Sequence, residues 1–75
     1  MRSKNLTTIN SSIELTQLLL AARRQQQLSR EELAGLANVS TSFIRDAEQD
    51  SANCSLGKLL KLLAALGLKL HAQQH

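Results

Sequence analysis

Residues 28–49 read LSREELAGLANVSTSFIRDAEQ, and this stretch decides the fold. Ser29 precedes Glu32 by three positions, the spacing at which the two side chains satisfy each other's backbone amides at a helix start. The apolar residues that follow end at Asn38, which tolerates the left-handed backbone of a tight helix exit. Ser40 is a second helix cap. The stretch therefore predicts two short helices joined by a tight turn, the second helix running to the end of the quoted residues.

Helical periodicity continues on both sides of this stretch. Upstream, Ser12 is a suitable cap, and apolar residues follow it at helical spacing: Ile13, Leu15, Leu18, Leu19 and Ala22. Downstream, Ser55 precedes LGKLLKLLAAL, and Gly67 stands where glycine commonly ends a helix. The chain is predicted to be all-α, a bundle of four to five short helices.

The two ends of the chain differ from its helical part. Residues 1–10 are polar and predict a flexible tail, because they offer little apolar surface to bury. Residues 11–67 are predicted to form the helical domain. In residues 68–75 the sequence LKLHA alternates apolar and polar side chains, which predicts a short strand followed by a tail. A strand of this length needs a pairing partner.

Composition limits the kinds of function. The 75 residues are 43% hydrophobic but only 1% aromatic, so we expect a core of aliphatic side chains. Nine lysines and arginines stand against six aspartates and glutamates, and the formal net charge of +3 mildly favours a polyanionic partner such as nucleic acid.

Several classes of function are not expected. Cys54 is the only cysteine, so no internal disulfide is possible, and Cys54 with His71 and His75 lacks a fourth metal ligand. The sequence offers no glycine-rich phosphate loop and no carboxylate pair that we expect in a cleft, which argues against an enzyme and against a cofactor. Lys58 and Lys61 interrupt the most apolar stretch, and the start of the chain lacks a signal peptide pattern, so we expect a cytoplasmic protein without a membrane span.

The second helix of the pair has two chemically distinct sides. The side suited to anchoring against neighbouring helices carries Ile44, Ala47 and Glu48. The other side is short, polar and basic and carries Thr41, Ser42 and Arg45. Hydroxyl groups bond to several base edges, and an arginine can grip both acceptors of a guanine. The same side chains also suit an ordinary solvated helix face, so residue types alone leave both interpretations open.

The segments LSREELA, NVS and FIRDAE within residues 28–48 resemble the Xre/Cro family of helix-turn-helix repressors. That family shows a Leu-Ser/Thr-Gln-x-x-Leu-Ala segment and a Gly-Val-Ser turn, followed by an isoleucine and a glutamate at four-residue intervals. This chain has Arg30 in place of the glutamine and Asn38 in place of the glycine, substitutes that keep phosphate donation and a left-handed turn. The resemblance spans about residues 13–67 and implies a lambda-repressor-like fold and sequence-specific binding of double-stranded DNA.

The same resemblance assigns roles to individual residues. It implies base contacts from Ser40, Thr41, Ser42 and Arg45. It implies phosphate contacts from Ser29 and Arg30, to which we add Lys58 near the start of the fourth helix. It also implies a structural ion pair between Arg23 of the first helix and Glu48.

The fourth helix indicates a homodimer. Its leucines cover more of the helix circumference than one neighbour can hide, so we expect a second subunit to bury part of them. The strand after Gly67 would then pair between subunits. The predicted interface comprises Leu62, Leu66, Leu68 and Leu70, and a symmetric dimer predicts a palindromic operator. A basic amphipathic helix on a lipid surface is the alternative interpretation of the fourth helix.

The placement of residues 66–70 resembles that of HipB-type antitoxins, compact Xre-family proteins whose last strand pairs between subunits. This narrower resemblance implies a transcriptional autorepressor that also binds a HipA-like serine/threonine kinase toxin encoded beside it. Two alternatives stay open: a free-standing or phage-type regulator of the same family, and a helical protein-interaction module that does not bind DNA.

Overall fold

The computed structural model describes residues 7–74; residues 1–6, most of the predicted tail, and His75 lie outside the described part. Within it are four α-helices and one turn of 3-10 helix: α1 (Ser12–Gln25), α2 (Arg30–Ala37), α3 (Thr41–Gln49), the 3-10 turn (Ser51–Asn53) and α4 (Leu56–Ala65). The prediction of an all-α bundle of four to five short helices is confirmed.

A serine precedes each α-helix, and its side chain accepts a backbone hydrogen bond from the first turn. At α2 the amide of Glu32 donates to Ser29 Oγ over 3.0 Å, and the amide of Ser29 donates to Glu32 Oε1 over 2.8 Å, which is the predicted reciprocal cap. Ser40 caps α3 and Ser55 caps α4 as expected. The prediction for α1 was wrong by one residue, because Ser11, in extended backbone, caps that helix.

Left-handed residues follow three of the helices. Asn38 has a φ of 59° and Gly67 a φ of 77°, as their positions predicted. After α4 the amide of Leu68 donates to the carbonyl oxygen of Leu63 over 2.8 Å, which closes the helix end. Gln27 after α1 also has a φ of 58°, which its residue type did not indicate.

One core joins all four helices. α3 packs against α1 and α2, and α4 packs against α2. The four largest fully buried side chains come one from each helix: Leu19, Leu33, Ile44 and Leu62. The position of α3 in the bundle is therefore set by the same core that holds the other helices.

A polar contact fixes the chain where α3 ends. Ser51 is buried, and its backbone amide donates to Thr16 Oγ1 of α1 over 3.0 Å. Its hydroxyl donates to the carbonyl oxygen of Ser12 over 3.0 Å. These bonds attach the 3-10 turn to α1, so α3 is held at its C-terminal end as well as along its buried side.

Two of the residues predicted at a dimer interface belong to the core instead. Leu62 and Leu66 are 1% and 4% exposed in the single chain, in one buried cluster with Leu33. Their assignment to the interface was wrong, because side chains already covered within the chain offer no surface to a second subunit. The large apolar side chains that α4 leaves exposed are Leu56 and Leu60, at 63% and 44%.

The C-terminal segment, residues 68–74, forms neither helix nor strand in the single chain that the structure describes. Leu68 packs partly buried against the core, whereas Leu70 is 50% exposed. A strand that pairs between subunits requires two chains, so that part of the sequence analysis stays a prediction. Across residues 7–74 no helix is both long and apolar enough to cross a membrane.

Candidate nucleic-acid interface

The two sides of α3 have the chemistry that the sequence predicted. Ile44, Ala47 and Glu48 are buried. Ser42 and Arg45 are exposed and Thr41 is half-buried. The Arg45 side chain forms no ion pair with any residue in the described part of the chain. A helix that is held on one side thus presents a hydroxyl and a free guanidinium on the other.

The capping serines retain hydrogen-bonding capacity. The amide of Phe43 donates to Ser40 Oγ over 3.0 Å, so Ser40 acts as an acceptor at the start of α3. Ser29 accepts the amide of Glu32 in the same manner at the start of α2. Each hydroxyl keeps its own hydrogen as a donor. Both serines are exposed and can therefore cap a helix and donate to a phosphate or base oxygen at the same time.

Glu48 joins three helices through its carboxylate. Arg23 of α1 donates from Nε to Glu48 Oε2 over 2.6 Å and from Nη2 to Oε1 over 3.1 Å. Arg30 of α2 donates from Nε to the same Oε1 over 3.0 Å. Arg23 also donates from Nη1 to the carbonyl oxygen of Leu28, just before α2. The structure thus brings together Arg23 and Glu48, the pair that the family resemblance implied, and adds a third partner.

These contacts decide the ionisation of Glu48. Burial opposes a charged carboxylate and is the largest single influence, but the hydrogen bonds and charges of Arg23 and Arg30 together outweigh it and lower the pKa of Glu48. The hydrogen bond from Arg23 to Glu48 raises the pKa of Arg23. Glu48 is therefore a buried anion at neutral pH, held by two cations.

Arg30 is not simply the free phosphate donor that the sequence predicted. Its Nε atom is bound to Glu48, while its side chain remains 38% exposed against 12% for Arg23. The contact joins residues 18 positions apart on different helices, so no local pattern pointed to it. A guanidinium carries five N–H donors, and the rest of the Arg30 fork remains available to a phosphate.

Lys58 lies close to Phe43, near the start of α3. Its Nζ atom is 5.5 Å from the centroid of the Phe43 ring, and Phe43 itself packs half-buried against the core. The ring is therefore engaged in packing, and Lys58 is an exposed cation held beside α3.

Cys54 lines the same open groove as Phe43 and Lys58. Burial is the largest cause that raises the pKa of the Cys54 thiol, and the negative charges of Asp46 and Asp50 add to it. The thiolate is the nucleophilic form of cysteine, so a raised pKa disfavours nucleophilic chemistry at Cys54.

Comparisons with known proteins agree on one family. The family model described as Helix-turn-helix matches residues 19–72. An uncharacterized HTH-type transcriptional regulator of Sinorhizobium fredii, y4mF, is 34% identical over 62 residues, which cover 83% of this chain and 82% of that protein. The immunity repressor protein of Bacillus phage phi105 is 38% identical over 56 residues, 75% of this chain but only 39% of the repressor.

Solved structures show the same fold. A HipA-HipB-O2-O3 complex contains a chain that superposes with a TM-score of 0.85, covering 92% of this chain and 97% of the other, at 23% identity. A HipB-O4 20mer complex gives the same TM-score, coverage and identity. With the family match over most of the chain and a two-sided α3 held by Glu48, this protein belongs to the Xre-type helix-turn-helix family of transcriptional regulators.

Proposed function

We propose that this protein is a sequence-specific repressor that binds a double-stranded DNA operator through the exposed side of α3. The observation that carries the proposal is the division of α3 into two sides. Glu48 and Ile44 hold one side to the bundle, and Ser42 and Arg45 stand exposed on the other. A short helix with such a face fits the major groove, where base edges present distinct patterns of donors and acceptors.

Each exposed group has a role in this proposal. Arg45 binds a guanine through O6 and N7, and Ser40, Thr41 and Ser42 contact base edges or nearby phosphates. Ser29, the outer edge of Arg30, and Lys58 hold phosphates on either side. The net charge of +3 supports approach to DNA at long range.

The proposed active form is a homodimer on a palindromic operator. Its support is apolar surface that the single chain leaves open, on Leu56 and Leu60 of α4 and on Leu70 of the C-terminal segment. A Leu70→Lys variant should sediment as a monomer and bind its operator more weakly, while His71→Lys, which adds the same charge on the polar side of the predicted strand, should stay dimeric. An unchanged sedimentation profile for Leu70→Lys would remove Leu70 from the interface.

The more specific proposal is an antitoxin that represses its own operon and binds a HipA-like serine/threonine kinase toxin. Its support is the likeness of fold to a chain in a HipA-HipB-O2-O3 complex. The first test is the gene beside this one. If that gene encodes a kinase, the two proteins produced together should elute as one complex; a neighbouring kinase that elutes separately, or no kinase gene, would contradict the antitoxin role.

A free-standing or phage-type repressor is the second candidate, favoured by the 38% identity to the phage phi105 immunity repressor. It shares the DNA-binding mechanism and differs only in the absence of a toxin partner. The gene neighbourhood and the co-elution experiment separate the two.

DNA binding itself is tested by selection from random duplexes followed by a salt series. The selected duplex should bind at least about a thousandfold more tightly than a scrambled duplex of the same length. Affinity should fall steeply with salt, with a slope of about 0.9 in log Kd against log salt for every phosphate contacted. Absence of binding at low salt would favour a protein-interaction module and overturn the repressor.

A further inference from the structure

Arg30 lies between the protein core and solvent. Its Nε faces inward and donates to Glu48 Oε1 over 3.0 Å, whereas its side chain is 38% exposed. The Nη atoms have no hydrogen-bond partner among residues 7–74. Glu48 is one of the buried residues of α3 and lies three positions after Arg45.

We propose that Arg30 is a positioning residue that couples contact with the phosphates of the DNA backbone to the orientation of α3. This inference rests on the proposed function and deepens it. The outer edge of the guanidinium binds a phosphate while Nε stays bound to Glu48. Charge-assisted bonds then connect the phosphate through Arg30 to Glu48, and so to α3. Contact with the DNA backbone thereby fixes the angle at which Arg45 and Ser42 approach the bases.

The chemistry of the guanidinium makes this possible. Its donors lie in a rigid plane and point along two edges, so one edge can serve a carboxylate while the other serves a phosphate. A lysine ammonium is a single charge without such edges. Arg23 is already bound to Glu48 and Leu28 and is 12% exposed, so it secures Glu48 without reaching a phosphate.

The coupling requires that Arg30 acts on α3 in the absence of DNA as well. Glu48 keeps its bidentate partner Arg23 when Arg30 is changed, so Arg30 variants are expected to fold. Loss of the Arg30 bond should, however, loosen α3 relative to α2. Amide hydrogen exchange of Ile44 and Ala47 reports this directly, because both lie on the buried side of α3.

The experiment compares Arg30→Lys and Arg30→Gln with Arg24→Gln, which removes an exposed arginine from the last turn of α1. Two quantities are measured on the selected duplex and its scrambled partner: the salt slope of binding, and the ratio of the two affinities. Both measurements are repeated for the Arg30 variants in the Glu48→Gln background, and circular dichroism reports the folded fraction of each protein.

The proposal predicts a different result for each variant. Arg30→Gln lowers the salt slope by about 0.9, and Arg30→Lys restores it, because the slope counts phosphates neutralised. Both variants lower the affinity ratio by about three- to tenfold and speed exchange at Ile44 and Ala47, within the range of coupled neighbours. In the Glu48→Gln background the same changes at Arg30 no longer alter the ratio. Arg24→Gln leaves the ratio and the exchange rates as in the wild type.

Several results would overturn the inference. If Arg30→Lys keeps the wild-type ratio and exchange rates, Arg30 is a phosphate contact only. If Arg30→Gln leaves the salt slope unchanged, Arg30 is a structural residue only. A wild-type protein that fails to distinguish the two duplexes overturns the proposed function and this inference together, whereas the exchange rates of the free protein still show whether Arg30 restrains α3.

Discussion

The helix pair α2–α3 and the C-terminal part of the chain, α4 with residues 68–74, are held in different ways. In the pair, directional features add to the buried core: a reciprocal cap at Ser29, a left-handed Asn38 and a carboxylate of Glu48 shared by two arginines. α4 is held mainly by the burial of leucines such as Leu62 and leaves Leu56 exposed. Directional bonds fix the angle of a helix that must present specific groups, whereas burial supplies stability with less demand on geometry.

Core truncation in α4 gives the largest expected effect. Leu62→Ala should lower the free energy of unfolding by about 3 kcal/mol, because it leaves a cavity at a fully buried position. Leu60→Ala, on the exposed side of the same helix, should cost under about 0.5 kcal/mol in the monomer. Urea denaturation measures both. Similar losses for the two variants would contradict the orientation described for α4.

The shared carboxylate of the helix pair comes next. Glu48→Gln keeps the shape of the side chain but removes the charge between Arg23 and Arg30, and should cost about 2–3 kcal/mol of stability. Asp46→Asn makes the same chemical change at an exposed position of α3 and should have little effect. Urea denaturation at neutral pH compares the two variants. If Glu48→Gln leaves the free energy of unfolding unchanged, the charge of Glu48 does not hold the helix pair.

Two glycines give smaller effects of opposite sign. Gly35 lies inside α2 with open space where a Cβ would stand, so Gly35→Ala should stabilise the protein by about 0.5–1 kcal/mol. Gly67 has a φ of 77° after α4, so Gly67→Ala should destabilise it by about 1–2 kcal/mol. Thermal unfolding followed by circular dichroism checks both signs. A stabilising Gly67→Ala would show that the end of α4 does not need its left-handed residue.

The smallest expected effect is a pH dependence of the helix pair. Burial opposes the charge of Glu48, but Arg23 and Arg30 overcome it and lower its pKa, so the ionised group stabilises the fold above its unfolded pKa of about 4.3. That contribution is lost as the pH falls from there through the lower folded pKa. Between pH 7 and pH 3, the free energy of unfolding measured by urea denaturation should fall in the wild type and should fall less in Glu48→Gln. Parallel curves would assign the acid sensitivity to other groups.

The same comparison explains how much the sequence could predict. The helix pair was predicted closely because Ser29, Asn38 and Ser40 act on neighbouring backbone groups, so their spacing is sufficient information. The Arg30 bond to Glu48 was missed because it depends on how α2 and α3 cross, which no local spacing records.

Leu62 was placed on the wrong surface for a related reason. Periodicity shows which leucines of LGKLLKLLAAL share a side, but the side that faces the core depends on packing against α2. The base-reading roles of Ser40, Thr41, Ser42 and Arg45 remain predictions, because the structure defines only the surface on which these residues lie. Binding to DNA measures what that surface recognises.

The most direct test of the account is the base preference of an Arg45→Ala variant. Binding is measured to the selected duplex and to a set of duplexes that each change one base pair, with Arg24→Ala as the control for loss of one exposed arginine. We expect Arg45→Ala to lose about 1–3 kcal/mol of discrimination at one base pair and to keep its preferences elsewhere. A uniform loss of affinity across all duplexes, equal to that of Arg24→Ala, would contradict the claim that the exposed side of α3 reads the sequence.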